Sequence, residues 1–374
     1  MSRPAQATIN LQALRDNLAF ARQLSGSKVI GVIKANAYGH GALTIARVLE
    51  SEQIDCLAVA CIEEALELRH NGIQSPILLL EGFYSSDELP LIEEYKLTTV
   101  IQQQDQIDML LAYQAKAPLS IWLKLDSGMH RIGFLPQEYP KAYQTLIQSG
   151  KVRDMVFMTH FSCADDLGCD YTRQQLSTFR RITAGLEGET SLCNSPGVLG
   201  WPEAHGDWIR PGLLLYGASP FDVNHPHARQ LKPVMELSSS IIAIRDLPAG
   251  VPVGYSATFI TNRPTRAGVV AIGYADGYPR HTPSGAPVVI NGKRARIMGK
   301  ISMDMMTVDL TDLPDVKTGD KVTLWGAELP AAEVAQHAGT IPYELLCNMK
   351  RVNIRYIDAP VTTEQPNTAE PISH

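Results

Sequence analysis

Near its N-terminus the chain reads Val32-Ile33-Lys34-Ala35-Asn36-Ala37-Tyr38-Gly39-His40-Gly41, and this segment is the most informative part of the sequence. An apolar, β-branched run over residues 29–33 ends at Lys34, and a helical pattern starts at Ala42 after small residues and two glycines. A lysine at the end of a buried strand is partly desolvated, which lowers the pKa of its amine and frees it to form a Schiff base. Because most lysines are exposed, a single lysine would by itself be interpreted as a solvated loop residue. The rest of the chain must decide between this interpretation and a desolvated, reactive lysine.

Short apolar runs follow one another over about the first 220 residues, and most of them are separated by amphipathic helical patterns. The runs cover residues 28–33, 55–60, 76–80, 98–102, 119–126, 156–161, 190–195 and 208–216. Alternation of strand and helix predicts an α/β fold, and this number of strands predicts a (β/α)₈ barrel of the TIM type. An open doubly wound sheet of about six strands is the alternative. No G-x-G-x-x-G follows the first strand, which weakens a dinucleotide-binding interpretation.

A mostly β C-terminal domain is predicted after about residue 230, where short strands alternate with turns rich in glycine, proline and aspartate. Asn291-Gly292 lies between two apolar runs and is a strong signal for a two-residue hairpin turn. A short helix, residues 331–338, interrupts these strands. We therefore expect a barrel over residues 1–230, a β domain over residues 231–360 and a flexible polar tail over residues 361–374.

Composition limits the classes of partner and the compartment. The net charge of -6 comes without a block of like charges, which disfavours nucleic acid and anionic membranes as partners. The six cysteines form no C-x-x-C pair, which indicates a reducing compartment. No signal core or membrane-spanning run is present, so the cytoplasm is the expected location. His225 and His227 are too few for a metal site, and we expect none.

Polar residues occur where the predicted strands end, which is where a barrel carries its active site. The first run ends at Lys34, the fifth contains Lys124 and Asp126, and the sixth ends near His160; Asn194 and Ser195 end the seventh. Arg210 follows this rule least well, because it lies early in the eighth run. These positions are the candidate site residues.

The segment from Val32 to Gly41 resembles the pyridoxal-phosphate lysine segment of alanine racemases, a family of fold-type III enzymes. Further matching segments are residues 124–133, 210–217, 253–259, 272–277, 301–304 and 341–344. The resemblance extends over roughly residues 5–360. It implies an isomerase (EC 5.1.1.1) that uses pyridoxal 5'-phosphate to interconvert L-alanine and D-alanine, either to supply D-alanine for peptidoglycan or in alanine catabolism.

The same resemblance implies roles for residues of the barrel. Lys34 would hold the cofactor, and Arg131 would contact both the phenolic oxygen of the cofactor and the substrate carboxylate. Arg210 would face the pyridine nitrogen, supported by His160. An arginine does not give up its proton, which should favour return of the proton to the substrate over transamination. The phosphate group would be bound by the side chains of Tyr38, Ser195 and Tyr343 and the amides of Gly212 and Leu213.

Racemisation needs proton transfer on both faces of the substrate, and the resemblance assigns Lys34 to one face and Tyr255 to the other. In the family this tyrosine comes from the partner subunit, which implies a head-to-tail homodimer. Tyr274 would line the entrance and the Met303 amide would contact the substrate carboxylate. Tyr255 and Tyr343 would narrow the pocket, so that alanine and also serine fit better than bulky amino acids.

Lys124 would lie beside Arg131, where two cations repel each other. In many relatives the equivalent lysine is carbamylated, which converts it into an anion, and we expect the same modification here. Two alternatives remain for the chain as a whole. One is a non-catalytic pyridoxal-phosphate-binding barrel, which would lack residues 234–360, and the other is an amino-acid decarboxylase, which would carry a carboxylate in place of Arg210.

Overall fold

The computed structural model describes residues 3–221 and 225–359. The tail predicted for residues 361–374 lies outside these ranges. The helices are α1 (Leu11–Ser25), α2 (Lys34–Tyr38), α3 (Ala42–Ser51), α4 (Ile62–His70), α5 (Leu89–Glu94), α6 (Gln104–Ala112), α7 (Tyr139–Gln148), α8 (Tyr171–Thr183), α9 (Ser195–Gly200), α10 (Ala331–Ala338) and α11 (Pro342–Cys347).

The strands of the first half are β1 (Gln6–Asn10), β2 (Lys28–Val32), β3 (Cys56–Val59), β4 (Ile77–Leu79), β5 (Thr98–Ile101), β6 (Leu119–Lys124), β7 (Val152–Met158), β8 (Glu189–Ser191) and β9 (Trp208–Ile209). Those of the second half are β10 (Met235–Leu247), β11 (Pro252–Val253), β12 (Phe259–Ile260), β13 (Thr265–Val270), β14 (Pro287–Ile290), β15 (Lys293–Met298), β16 (Met306–Asp309), β17 (Lys321–Trp325) and β18 (Asn353–Ile357).

Strands β2 to β9 form a closed parallel barrel in chain order. The barrel closes where Lys28 and Val29 of β2 pair with Trp208 and Ile209 of β9. Strands β3 and β4 consist wholly of buried residues, because one face fills the barrel and the other packs against helices. The (β/α)₈ prediction is therefore confirmed, and the open doubly wound sheet is excluded.

The first helix shows how local sequence leads the chain into the barrel. The Asn10 side chain accepts hydrogen bonds from the amides of Gln12 (3.0 Å) and Ala13 (3.3 Å), which caps α1. Leucines 14 and 18 on its apolar face are buried against the barrel. Gly26 ends the helix in the left-handed conformation (φ 66°), where a side chain would be strained.

The second sheet has eight strands in the order β13-β16-β15-β14-β17-β10-β1-β18. Asn291 and Gly292, both with positive φ, form the predicted hairpin turn between β14 and β15. Strand β1 lies in this sheet, antiparallel to β10 and parallel to β18, although it precedes the barrel in the chain. The N-terminal strand thus ties the two halves of the molecule together.

Two segments contain shorter strands than their apolar residues suggest. Residues 254–260 do not form one strand: Tyr255–Ala257 is a 3₁₀ turn, and only Phe259–Ile260 pairs with β11. The eighth barrel strand ends at Ile209, because Pro211 and Gly212 follow, and residues 213–216 form a 3₁₀ turn. Arg210 therefore stands directly after the end of its strand, like the other candidate residues.

The second domain covers part of the barrel mouth. A Cβ built on Gly39 would overlap the carbonyl oxygen of Leu346 in α11, and one built on Gly41 would overlap the hydroxyl of Tyr356 in β18. The two glycines of the first segment therefore permit the close approach of the second domain. Within the described residues no helix is long and apolar enough to cross a membrane, and no group of three or more histidine, cysteine or acidic side chains could hold a metal ion.

Candidate active site

Lys34 begins a turn whose backbone is left-handed. Ala35, Asn36, Ala37 and Tyr38 all have φ values between 52° and 54°. This conformation costs roughly 1–2 kcal/mol per non-glycine residue, so the surrounding structure must hold it in place. Left-handed backbone outside glycine is concentrated at functional sites. The sequence predicted a loop here, and the left-handed turn is a finding of the structure.

Glu64 of α4 is a residue that the sequence analysis did not identify as part of this site. Its Oε1 accepts a hydrogen bond from the amide of Ala35 (2.7 Å), and its Oε2 accepts one from the amide of Ala60 (2.8 Å). The Asn36 side chain in turn accepts from the amide of Ala42 and begins α3 (2.8 Å). These bonds anchor the turn that carries Lys34. A lone glutamate in an amphipathic helix gave no signal for this contact.

Four cations lie close together at the barrel mouth. Lys124, the last residue of β6, has only 4% of its surface exposed. Burial, followed by the positive charges of Arg210, Arg131 and Lys34, lowers its pKa to about 7. At neutral pH a substantial fraction of this amine is therefore uncharged. The narrow pocket around it is lined by Lys124, Leu125, Asp126, Met129, Arg131, Ile132, Thr159 and His160.

Arg210 is buried and firmly held by the neighbouring strand ends. Its NH1 group donates to the carbonyl oxygen (2.8 Å) and the hydroxyl (2.7 Å) of Ser191, and its NH2 group donates to the carbonyl oxygen of Thr159 (2.7 Å). Burial lowers its pKa to about 10, which leaves the guanidinium charged at neutral pH. Among the described residues nothing accepts a hydrogen bond from its Nε–H, so one directed donor remains for a ligand.

His160 follows β7 and lies against this arginine. Its Nδ1 is 3.5 Å from the NH2 group of Arg210, and its Nε2 is 3.4 Å from the side-chain amide nitrogen of Asn194. Burial, together with the charges of Arg210 and Lys124, holds the pKa of the imidazole well below its usual value. The ring is therefore neutral and adds no further positive charge to the site.

Hydroxyl and amide groups form a second cluster beside the cations. The Ser195 hydroxyl oxygen accepts from the amides of Gly212 (3.0 Å) and Leu214 (3.1 Å), which leaves its own hydrogen free to donate outward. The amide of Leu213, at the start of the 3₁₀ turn Leu213–Tyr216, has no acceptor among the described residues. This arrangement suits an anion with several oxygens.

The Tyr38 phenol completes this second cluster. Its ring lies 4.8 Å from the ring of Tyr216 and 5.9 Å from that of Tyr343. Burial raises the pKa of Tyr38, and it raises the pKa of Tyr343 to about 12, so both phenols stay protonated and can donate hydrogen bonds. Cys347 lies four residues after Tyr343 on α11. Burial raises the pKa of its thiol, and the nearby positive charge of Lys34 lowers this pKa by a smaller amount.

The remaining predicted residues are not joined to this cluster within one chain. Tyr255 is 63% exposed and Met303 is 53% exposed, both on the second domain. Tyr274, also on the second domain, starts the 3₁₀ turn Tyr274–Asp276. Arg131 is exposed, but it lines the pocket beside Lys124 and belongs to the cluster. None of the described contacts joins Tyr255 to Lys34. The structure thus brings the barrel residues together and leaves the tyrosine of the second domain facing outward.

Asp276 was also missed by the sequence analysis. It is fully buried, accepts a hydrogen bond from the amide of Gly273 (3.0 Å) and forms a bidentate pair with Arg3 (2.7 and 2.9 Å). Arg351 adds a second cation at 3.2 Å. The Asp276 carboxylate therefore fixes the turn that presents Tyr274. The Asp-Gly step indicated a turn, but nothing in the sequence indicated its distant arginine partners.

Comparison with known proteins places this geometry in a family. Family models described as "Alanine racemase, N-terminal domain" and "Alanine racemase, C-terminal domain" match residues 9–220 and 234–356. The chain is 56% identical over 355 residues to a catabolic alanine racemase from Pseudomonas putida, covering 95% of this chain and 99% of that one.

Solved structures agree with this match. The biosynthetic alanine racemase from Pseudomonas aeruginosa superposes with a TM-score of 0.92 at 44% identity, covering 95% of this chain and 99% of that one. An alanine racemase from Bartonella henselae with covalently bound pyridoxal phosphate has a TM-score of 0.85 at 30% identity, covering 95% and 99%. The chain therefore belongs to the alanine racemase family, the isomerases that interconvert the two enantiomers of alanine.

Proposed function

We propose that the chain racemises alanine with pyridoxal 5'-phosphate bound at the carboxyl ends of the barrel strands, and that Lys34 and Tyr255 transfer the protons. The observation that carries the proposal is the convergence of Lys34, Arg210 and the hydroxyl of Ser195 at one mouth, because these groups suit the aldehyde, ring nitrogen and phosphate of a single ligand. When bound, this cofactor delocalises the electron pair left after the substrate Cα loses its proton.

The phosphate end of such a ligand fits the cluster of donors. The Ser195 hydroxyl, the Leu213 amide and the phenols of Tyr38 and Tyr343 can all donate to phosphate oxygens. A Cβ built on Gly212 would overlap the Tyr38 hydroxyl, so the glycine keeps this space open. The residues present therefore fit a phosphate group.

The ring end fits Arg210. Its free Nε–H can donate to the pyridine nitrogen, and the guanidinium retains its own protons at neutral pH because its pKa stays near 10. His160 is neutral and supports the arginine from behind. A ring nitrogen that accepts a hydrogen bond without a proton is a weaker electron sink than a protonated one. Return of the proton to Cα is then favoured over transamination.

Lys34 binds the cofactor through its amine and acts as the base on one face of the substrate. Tyr255 acts on the opposite face, and we propose that it comes from the partner subunit of a head-to-tail homodimer. In one chain Tyr255 is 63% exposed, and Ile260, Met303 and Ile341 of the second domain are also exposed, at 60%, 53% and 57%. A partner subunit that brings Tyr255 to a second active site would also cover these side chains.

The remaining assignments concern the substrate and its entrance. Arg131, with no acceptor among the described residues, binds the substrate carboxylate and the phenolic oxygen of the cofactor, and the Met303 amide of the partner subunit assists at the carboxylate. Tyr274 lines the entrance. The phenols of Tyr255 and Tyr343 leave room for a methyl or hydroxymethyl side chain, so we expect alanine and serine as substrates.

Lys124 is proposed to be carbamylated. Its pKa of about 7 supplies a neutral amine under physiological conditions, and only a neutral amine attacks carbon dioxide. The new N–C bond gives a carbamic acid that releases one proton, so a buried cation becomes an anion. This anion lies among Arg131, Arg210 and Lys34, which would otherwise repel an ammonium.

The metabolic role and the location complete the proposal. Identity is 56% with a catabolic relative and 44% with a biosynthetic one, which favours alanine breakdown over the supply of D-alanine for peptidoglycan. Deleting the gene should then abolish growth on alanine as carbon source, whereas a requirement for added D-alanine would indicate the biosynthetic role. Six unpaired cysteines fit a reducing cytoplasm.

The cofactor assignment is tested by borohydride reduction of the purified protein. We expect a yellow protein that loses alanine racemisation after reduction, with the cofactor found on the Lys34 peptide by mass spectrometry. Lys28 lies exposed at the start of the same strand, and Lys28→Ala should change neither colour nor labelling. A colourless protein, or a label on another lysine, would contradict the proposal.

A further inference from the structure

We propose that His40 is a positioning residue of the cofactor pocket, whose Nδ1–H holds the left-handed turn that presents Lys34 and Tyr38. The inference rests on the proposed function, because it assigns the Tyr38 phenol to the cofactor phosphate. His40 itself is fully buried, and its described ring hydrogen bonds go to the backbone of the turn. It acts through the backbone of other residues.

The hydrogen bonds of His40 determine which ring nitrogen carries the hydrogen. Nδ1 lies 2.9 Å from the carbonyl oxygen of Ala37 and 2.8 Å from that of Tyr38. Carbonyl oxygens only accept, so the hydrogen is on Nδ1 and is shared between the two carbonyls. Nε2 is buried without a partner among the described residues. The ring therefore makes its hydrogen bonds through Nδ1 and leaves Nε2 as an unsatisfied acceptor.

Both carbonyls belong to the strained turn. Ala37 and Tyr38 have φ values of 53° and 52°, and a relaxed right-handed backbone would direct their carbonyl groups elsewhere. Burial lowers the pKa of His40 to about 4, so the imidazole stays neutral and keeps this single donor throughout the physiological range. Two carbonyls held by one rigid donor fix the direction in which the Tyr38 side chain leaves the backbone.

The ring of His40 is itself held from two sides. It stacks on Tyr216 at 4.4 Å, and the Tyr216 hydroxyl donates to the carbonyl oxygen of Val32 at the end of β2 (2.9 Å). Tyr216 also contacts the Tyr38 ring. From the second domain, the Tyr356 hydroxyl donates to the carbonyl oxygen of His40 (3.1 Å). His40 thus joins the turn, the strand that carries Lys34 and the second domain.

Three substitutions separate the hydrogen bond of Nδ1 from the volume of the ring. An asparagine amide nitrogen can occupy the position of Nδ1, whereas the amide nitrogen of glutamine reaches the position of Nε2. His40→Asn should therefore keep the donor to the two carbonyls, and His40→Gln should lose it although it is the larger side chain. His40→Leu removes the donor at comparable volume.

The test measures cofactor binding by full-length protein from which the cofactor has been removed, using pyridoxal phosphate and pyridoxal, which lacks the phosphate. We expect His40→Gln and His40→Leu to weaken pyridoxal phosphate binding about tenfold, because the donor to the carbonyl oxygens of Ala37 and Tyr38 is lost. Pyridoxal binding should change much less, and His40→Asn should restore the preference for the phosphate. In protein that already carries Tyr38→Phe, His40→Gln and His40→Leu should cause no further loss of pyridoxal phosphate affinity, because the hydroxyl that they displace is absent.

Different results overturn different statements. Equal losses for pyridoxal phosphate and pyridoxal, a glutamine variant that binds like wild type, or an asparagine variant as weak as the leucine variant would overturn the role of His40. A wild-type protein that binds neither compound would instead overturn the proposed cofactor. If His40→Leu does not fold, as judged by circular dichroism, the comparison of the asparagine and glutamine variants still decides.

Discussion

The backbone of Gly212 lies so close to the phenol of Tyr38 that a Cβ at position 212 would overlap its hydroxyl oxygen and lie 3.0 Å from its Cζ. These residues come from opposite ends of the barrel sequence and meet where β9 closes against β2. The contact exists only because the barrel is closed. It leaves the Tyr38 phenol, the Leu213 amide and the Ser195 hydroxyl around one small space, while the Gly212 amide donates to the Ser195 hydroxyl oxygen.

Gly212→Ala should weaken cofactor binding by displacing the Tyr38 hydroxyl. The φ of Gly212 is -113°, which is outside the left-handed region, and the expected effect comes from the overlap of the new methyl group with the Tyr38 hydroxyl. Overpacking of this kind costs about 1–3 kcal/mol, or roughly a 5- to 150-fold loss of affinity. Titration with pyridoxal phosphate measures the loss. Gly168→Ala, in a loop without left-handed φ, is the control, and an equal loss there would contradict the steric explanation.

Tyr255→Phe should abolish proton transfer on one face only. Net racemisation slows in both directions by about 10²–10⁴-fold, since each direction needs both bases. Exchange of the α-proton with solvent deuterium should nevertheless persist without inversion for one enantiomer, because Lys34 still serves that face. Nuclear magnetic resonance in D₂O measures the exchange of the α-proton separately for each enantiomer and so distinguishes exchange without inversion from racemisation. Tyr84→Phe removes an equally exposed phenol (63%) as a control; equal loss of exchange from both enantiomers would refute the two-face assignment.

Mixed dimers test whether Tyr255 serves the partner subunit. Lys34→Ala and Tyr255→Phe proteins are each inactive alone, but a mixed dimer pairs the intact Lys34 of one chain with Tyr255 of the partner subunit at one site. Refolding an equal mixture makes half of the dimers mixed, each with one intact site, so roughly a quarter of the wild-type activity should return. Absence of recovery in a verified mixed dimer would place both residues in one chain.

Carbamylation of Lys124 should rise as pH passes upward through 7. Burial and neighbouring cations lower the pKa of this lysine to about 7, so the reactive neutral amine becomes the major form above that pH. With dissolved ¹³CO₂ held constant, the carbamate signal should increase over this range. Lys124→Ala should lose the signal and the exposed Lys28→Ala should keep it. A signal insensitive to Lys124→Ala would exclude carbamylation at this residue.

His40 should make the folded protein less stable as pH falls from about 6.5 to about 4. The pKa of His40 in the folded protein lies below its value in the unfolded chain. Between these two pKa values the unfolded chain binds a proton and the folded protein does not. The free energy of unfolding therefore decreases as the pH decreases. The slope from this residue is about 1.4 kcal/mol per pH unit within that window. Urea unfolding at several pH values should show a shallower slope for His40→Asn. His70→Asn, which removes an exposed histidine, is the control variant.

Much of the architecture was predictable from local patterns. Alternating apolar runs and helical spacing indicated the barrel, and Asn291-Gly292 indicated the hairpin between β14 and β15. These features depend on residues that are neighbours in sequence, whose periodicity and turn preferences act at short range. The positions of Lys34, Lys124, His160 and Ser195 at strand ends followed from the same patterns.

The sequence by itself determined the order of strands and helices and the chemical groups available at the barrel mouth. Only the tertiary structure decided that β1 joins the second sheet, that residues 35–38 adopt a left-handed turn and that Glu64, His40 and Asp276 hold the site. Each of these features depends on residues that are distant in the chain or on backbone strain that is offset by packing in other parts of the molecule. Short-range preferences do not contain such information, because it arises only when the barrel closes and the second domain covers its mouth.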